Sequence, residues 1–401
     1  MNEMISVSVA TSIIAEQSMS FGVEQVALSD AIGRVLAEDW RADRDMPPFD
    51  RVAMDGIAIL YAEFAAGSRT YNVEAVAAAG DPQKTLQDQS NCLEVMTGGV
   101  LPYGCDTVVR YEDVSVDDGE AKVNIDAIKQ GQNIHRRGVD HISDELIVRA
   151  GMRLSTAEIG IAATLGKTHI TVQKLPKVLV ISTGNELVPI NQTPEAHQIR
   201  RSNVHQIISV LHQYGISADH EHLSDDREEI TQRLAEILDQ YDAILMSGGV
   251  SKGKFDYLPE VLKELEVERL FHRIKQRPGK PFWFGQYNQR CCVFAFPGNP
   301  ISTYLCVHKY FLHWLGACHQ VAYNQHVYAE LAEDVHFKPL LTYFQQVSLM
   351  SHSDGRLLAS PSQSNGSGDL ASITRADAFM EFPEDKVSFK AGESYPVIRF
   401  R

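Results

Sequence analysis

The sequence predicts an α/β protein: a central domain with a mostly parallel sheet, a β-rich insertion domain, a discontinuous helical linker domain and a C-terminal β-barrel. Three observations predict it. From Lys177 onward, apolar strand-like runs alternate with helical periods, the β-α-β-α order that yields a parallel sheet covered on both faces. Three glycine-bearing motifs each follow the C-terminal end of a predicted strand in that region. After about Ala317 the helical period gives way to short strands with turns at Asp354-Gly355 and Ala391-Gly392. A chain of 401 residues is too long for one core, and roughly 100 to 200 residues per domain gives two to four domains. The boundaries fall at 1–44 with 142–175 for the helical linker, 45–141 for the insertion, 176–317 for the α/β domain and 318–401 for the barrel.

Taken in order, the first forty residues read as a helix, a strand at 23–28 and a second helical segment ending near Trp40. Between 45 and 140 the runs are short, apolar and broken by Pro and Gly, as at 73–79 and 92–96. Ser155 and Glu158 have capping-box spacing at the start of another helix. Helical segments on both sides of the insertion are expected to pack as one discontinuous domain. In the central domain the strands are 178–181, 243–246 and 293–296. The helices are 202–214 with Ser202 as N-cap and Gly215 past its end, a helix capped by Asp225 and Glu228 running to 241, then 257–265 and 301–315. Strands at 328–333, 342–350, 356–359, 378–381 and 395–401 make the barrel. No internal repeat is visible.

Composition narrows the function classes. A net charge of -15 argues against nucleic acid as the main partner, because phosphate-backbone binding needs a basic surface. Yet Lys252, Lys254, Arg269, Arg273, Lys275, Arg277 and Lys280 lie close together, which suits a small-anion pocket or a solvated charged face equally well. No apolar run approaches the ~18 residues of a membrane span, and the first residues lack a basic signal-peptide start, so a cytoplasmic protein is expected. The cysteines, Cys92, Cys105, Cys291, Cys292, Cys306 and Cys318, form no C-x-x-C and read as reduced buried thiols, including the adjacent pair. His197, His205, His212, His220 and His222 have no zinc pattern.

The chemistry collects at the strand ends, where ligands of open α/β sheets bind. Ser182-Thr183-Gly184-Asn185-Glu186 follows the first strand and Ser247-Gly248-Gly249-Val250-Ser251-Lys252-Gly253-Lys254-Phe255-Asp256 the second. Phe296-Pro297-Gly298-Asn299-Pro300 follows the third. Glycines let backbone N–H groups approach an oxyanion, and a following helix adds unpaired donors. Residues 248–254 match G-x-x-x-x-G-K, but Phe255 stands where a P-loop needs Ser or Thr, which excludes a Walker-type NTPase. Gln276-Arg277-Pro278-Gly279-Lys280-Pro281 sets two cations about a Pro-Gly turn, either a plain turn or an anion clamp. Glu186, Asp226 and Asp256 at neighbouring strand ends suggest Mg²⁺ held by carboxylates and substrate oxygens. Pro47-Pro48-Phe49-Asp50-Arg51-Val52-Ala53-Met54-Asp55-Gly56 reads either as a rigid lead into the insertion or as a loop presenting Asp50 or Asp55. Thr97-Gly98-Gly99 and Arg136-Arg137-Gly138-Val139-Asp140 are similar in kind.

Segments 47–58, 97–106, 138–140, 182–188, 247–257, 278–285 and 297–303 together resemble the MoeA family, including the corresponding domain of gephyrin, and occur in family order. The resemblance implies a molybdopterin-binding fold for the central domain, an elongated homodimer, and Mg²⁺-dependent insertion of molybdate into adenylylated molybdopterin with release of AMP. It implies catalytic roles for Asp55, Asp256, Lys280 and Arg277, and metal binding by Glu186, Asp226 and Asp256. The implied substrate-binding residues are Thr97, Asp140, Thr183, Gly184, Ser247, Gly248, Gly249, Ser251 and Gly253. Gly279, Pro281, Pro297, Gly298, Asn299, Pro300 and Ser367 complete that set. By the same resemblance Asp55, Thr97 and Asp140 of one subunit complete the site of the other, and the dithiolene sulfurs belong to the substrate, so no catalytic cysteine is needed. Implied partners are a second copy of the chain, a molybdopterin adenylyltransferase and the apoproteins that receive the cofactor. The chain departs from the family pattern at Asn185 (Asp in the family), at Lys254-Phe255 (Asp-Tyr), and at Leu341 and Gln346, where arginines are common. Alternative functions are a non-catalytic pterin-binding or scaffold relative and a molybdopterin adenylyltransferase-like enzyme.

Overall fold

In the computed structural model, residues 4–250, 257–323 and 327–401 are described. They form two compact units. One contains the chain through Ala37, residues 151–159 and everything from Thr168 onward; the other contains 38–150 and 160–167. Among the described residues no helix is long and apolar enough to cross a membrane.

The first unit is organised by a six-stranded sheet in the order Asp219–Leu223, Val178–Thr183, Ala243–Ser247, Cys291–Phe296, Trp283–Tyr287, Glu268–His272. The first four strands are parallel, Trp283–Tyr287 runs antiparallel to both its neighbours, and Glu268–His272 resumes the common direction. Alternation along each strand sends its side chains to two cores. Val178, Val180, Ala243, Leu245, Cys292 and Phe294 face helix Asn203–Gln213 and the helical run from Pro300. Leu179, Ile181, Ile244, Met246, Cys291 and Val293 face helices Arg227–Ile237 and Leu258–Glu264. Cys291 and Cys292 therefore point to opposite faces of the sheet and cannot act as a pair.

Two helical expectations change. The helix Val7–Glu16 buries Val7, Ala10 and Ile14 in the first of those cores, and the Trp314 indole donates to Gln17 O at 2.9 Å, so this helix belongs to the central sheet's packing. The second helical segment, ending near Trp40, does not form. Leu28–Asp30 makes one short turn, Gly33 adopts φ +77°, and the amides of Leu36 and Ala37 donate to Met152 O and Thr171 O. The apolar Val35 and Leu36 are buried by cross-chain bridging rather than by a helical face. The segments flanking the insertion do meet, but as the antiparallel strands Val23–Ala27 and His169–Gln173.

The barrel joins Thr342–Ser351, Leu357–Pro361, Val327–Leu331, Ser394–Arg399 and Ala378–Phe382, and closes because Thr342–Ser351 also pairs with Ala378–Phe382. Gln276–Arg277 adds in parallel to the start of Thr342–Ser351, which stitches the cationic Pro-Gly loop onto the barrel. The second unit carries its own six-stranded sheet, from Thr107–Arg110 through Gly56–Ile59, Cys92–Val95 and Thr70–Ala77 to Glu120–Val123 and Val114–Asp117.

The helix expected at 301–315 runs as Pro300–Cys306, a wide π turn Val307–Phe311, and Leu312–His319. His308 in that turn is 1% exposed and stacks edge-on with Tyr304 at 4.5 Å. Burial lowers its pKa from 6.5 to about 4. The folded state holds the imidazole neutral while the unfolded chain protonates near 6.5. This contribution is complete above that pH and is lost as pH falls toward 4, by on the order of 3 kcal/mol. Urea unfolding between pH 7 and 4 should show this loss, and His308→Leu should flatten the slope across that window.

Candidate active site

The parallel strands end in register: Ser182 pairs with Ser247, and Ser247 with Phe296. The three loops that follow therefore start at one level and enclose a cavity of about 700 Å³. Thr183, Gly184, Glu186, Ser247, Gly248 and Gly249 line it from the first two loops, and Pro297, Gly298, Asn299 and Pro300 from the third. The glycines are sterically required. A Cβ on Gly248, at φ +106°, would lie 2.8 Å from Thr183 Oγ1 and 2.9 Å from Thr183 O. On Gly249 it would meet Leu258 at 2.5 Å. The Thr183 hydroxyl is buried against this backbone without a hydrogen-bond partner among the described residues.

One side chain ties the second and third loops together. Asn203, first residue of its helix, donates through Nδ2 to Ser247 Oγ at 2.8 Å and to Gly298 O at 2.7 Å, with Thr303 Oγ1 at 3.4 Å. Ser202, expected to cap this helix through its hydroxyl, makes no cap bond. Sequence reading missed Asn203 because its partners lie 44 to 100 residues away.

The carboxylates divide differently from expectation. Asp226 Oδ1 accepts the Glu229 N–H at 2.9 Å as the cap of helix Arg227–Ile237, while Asp225 lines the cavity. Asp226 thus spends one carboxylate oxygen on the helix cap, and its neighbour Asp225 is the acid in the cavity lining. Asn185 fixes Asp225 from both sides, its N–H donating to Asp225 Oδ2 at 3.2 Å and its Oδ1 accepting Asp225 N–H at 3.1 Å. The amide at this position serves the loop without placing a second negative charge beside Asp225. Arg200 and Arg201, also missed, complete the charged lining.

Pro281, Pro297 and Asn299 are shared with an adjoining cavity of about 630 Å³. Arg277, Gly279, Lys280 and Ser367 line this second space, whose described lining includes two cations and no carboxylate. Its Pro-Gly turn is packed from below. Gln276 is 0% exposed, donates through Nε2 to Pro278 O at 2.9 Å and accepts from the Tyr310 hydroxyl. A Cβ on Gly279, at φ +91°, would strike that Nε2 at 2.5 Å. Asn299 Nδ2 donates to Ser367 Oγ at 2.9 Å, binding the third strand-end loop to the barrel segment. Leu341 and Gln346 line the same space, but Gln346 is buried and accepts from Ser372 Oγ at 3.0 Å.

In the second unit the motifs left unplaced by sequence come together. Asp55 accepts the Thr97 N–H at 2.6 Å and its hydroxyl at 2.8 Å, which holds the carboxyl below its ordinary range. Asp50 accepts from Arg136 at 2.6 Å and from the Arg137 N–H at 2.8 Å. Gly138 N–H donates to Pro47 O at 3.0 Å, and Asp140 pairs with His135 at 3.0 Å. Asp55, Thr97 and Asp140 are all exposed. The remaining expected site residues, Ser251, Gly253 and Asp256, lie outside the described residues, as do Lys254 and Phe255.

Residues 179–317 match the model of a probable molybdopterin binding domain, which defines the class of the α/β domain and its strand-end cavity. The flanking segments match the MoeA N-terminal region (domains I and II) over 5–166 and the MoeA C-terminal region (domain IV) over 328–400. The chain is 39% identical to a molybdopterin molybdenumtransferase of Synechocystis sp., over 98% of its own length and 99% of that protein. To the molybdopterin molybdenumtransferase of Staphylococcus epidermidis it is 30% identical, over 98% and 95% of the two chains. The crystal structure of the molybdopterin biosynthesis MoeA protein from Pyrococcus horikosii matches with a TM-score of 0.82 at 28% identity, covering 100% of both. The chain belongs to the MoeA family of molybdopterin molybdenumtransferases.

Asn203→Ala removes the common donor of Ser247 and Gly298. It should cost roughly 1–3 kcal/mol in urea unfolding.

Proposed function

We propose that the protein inserts molybdenum, delivered as molybdate, into adenylylated molybdopterin and releases AMP in a Mg²⁺-dependent reaction. The observation that carries this reading is the pair of adjoining cavities sharing Pro281, Pro297 and Asn299. One is walled by glycine backbone, hydroxyls and carboxylates, as a phosphorylated ligand with a metal requires; the other is cationic, as a free oxyanion requires.

In the first cavity, backbone N–H groups around Gly184, Gly249 and Gly298 and the hydroxyls of Thr183 and Ser247 bind the phosphate oxygens. Glu186 and Asp225 fit Mg²⁺, which is commonly held by one or two carboxylates together with substrate phosphates. The orphaned Thr183 hydroxyl beside them is a further oxygen donor without a competing partner among the described residues. Asp256, outside the described residues, is kept as a metal ligand by the family resemblance alone, and Asp226 caps its helix. Mg²⁺ held there would supply positive charge to offset that of the phosphate oxygens. In the second cavity, Arg277 and Lys280 hold molybdate and offset the negative charge that accumulates as the phosphate link breaks, with Ser367 as a hydroxyl partner.

We extend the proposal to a second copy of the chain, whose Asp55, Thr97 and Asp140 complete the site. Support comes from their exposure and from the ready-made Asp55–Thr97 bonds, which keep the carboxylate charged and oriented.

Purified protein given Mg²⁺, molybdate and adenylylated molybdopterin should release AMP in step with molybdenum insertion. Release that does not respond to molybdate would overturn the reading. Lys280→Ala should raise the molybdate KM about tenfold or more while AMP binding stays near wild type. Mixing Asp55→Asn and Lys280→Ala chains should restore up to about a quarter of full activity if sites are built across a symmetric dimer, since random pairing leaves that share of sites intact. No recovery on mixing would place the acidic loop and the lysine in the same subunit's site.

A further inference from the structure

The parallel ribbon beside the first cavity carries side chains that the roles above leave unused. Leu187–Val188 pairs with Ile199–Arg200, with Leu187 opposite Ile199. Ile199 N–H donates to Glu186 O at 2.8 Å and Arg201 N–H to Val188 O at 3.0 Å, which fixes the pairing. Leu187 and Ile199 both line the cavity, and Ile199 is 59% exposed. Most of the other lining is glycine, hydroxyl, amide, carboxylate or guanidinium, so two branched aliphatic side chains side by side form an apolar patch on a polar wall. Uncovering such a patch to water is unfavourable unless a ligand covers it. Arg200 and Arg201 follow directly and line the same space, and Arg200 Nε donates to Gln192 O at 3.0 Å, which holds that guanidinium at the ribbon.

An apolar patch continuous with two guanidinium groups complements one kind of chemistry: a planar heteroaromatic ring carried on a phosphate. The ring face covers the aliphatic side chains, and the phosphate is gripped by arginine. Adenylylated molybdopterin has such a ring at each end, adenine and pterin. We propose that Leu187 and Ile199 form the wall that recognises one of these rings, with Arg200 and Arg201 taking the phosphate next to it. This rests on the reading of the cavity as the site for adenylylated molybdopterin.

The test is calorimetric binding of AMP, molybdopterin and inorganic pyrophosphate to the full-length protein and to Ile199→Ala and Ile199→Val. Ile199 is exposed, so both variants should keep the wild-type melting temperature. Ile199→Ala should weaken AMP or molybdopterin about tenfold, leave pyrophosphate unchanged, and be largely rescued by valine. Selective loss for AMP assigns the wall to adenine; selective loss for molybdopterin assigns it to the pterin. Unchanged affinity for both ring ligands, equal weakening of pyrophosphate, or no binding of either ring ligand by the unaltered protein overturns the proposal. Because these are binding measurements, their outcome is separate from whether molybdate drives AMP release.

Discussion

Parallel pairing in register is the constraint from which the site follows. Because Ser182, Ser247 and Phe296 lie side by side, three loops far apart in sequence leave the sheet at the same height and must share one space. Loops that close together would collide if built from ordinary residues, and Gly248 and Gly249 remove the collision with Thr183 and Leu258. What the glycines permit, Asn203 then fixes, since a single amide satisfies one acceptor on each of two loops. Backbone freedom alone would leave the loops mobile, and the amide alone could not bring them close enough.

The second cavity depends on a different joint. Gln276 and Arg277 are a short strand of the barrel sheet and also the start of the cationic turn, so barrel folding and cation placement are one event. Gln276, beneath the turn, has its amide satisfied by Pro278 O and the Tyr310 hydroxyl, so the backbone of the turn is supported by the π turn Val307–Phe311. Two departures from the family pattern find their physical place here and at Asp225. Gln346 is committed to Ser372 inside the barrel, and Asn185 is committed to Asp225. Neither residue is a bare loss of charge; each is part of a satisfied local network.

The strands that organise the site were legible because Val178–Thr183, Ala243–Ser247 and Cys291–Phe296 are buried on both faces and so read as unbroken apolar runs. Asp219–Leu223 was not, since as an edge strand it buries only Leu223 and its Asp, His and Glu carry no strand signal. Trp283–Tyr287 escaped notice because Gly285 interrupts it. That glycine is needed there, as a Cβ would meet Glu268 O at 2.5 Å. Glycine motifs announced the cavity, but Asn203, Arg200 and Arg201 act only through the folded chain. Asp225 and Asp226 are adjacent acids that only the position of a helix cap can tell apart. The convergence of the 47–56, 97–99 and 136–140 segments likewise depends on pairings across more than forty residues.

The neighbouring thiols of Cys291 and Cys292 have a consequence for a protein that handles a thiophilic metal. They face opposite sides of the sheet, and burial pushes Cys291, like Cys92, Cys105 and Cys318, up to about 12, with Cys292 and Cys306 higher still. Thiolate, not thiol, is the form that captures metal. With its own thiols held protonated, a protein that transfers molybdenum offers the metal few rival ligands on its way to the pterin.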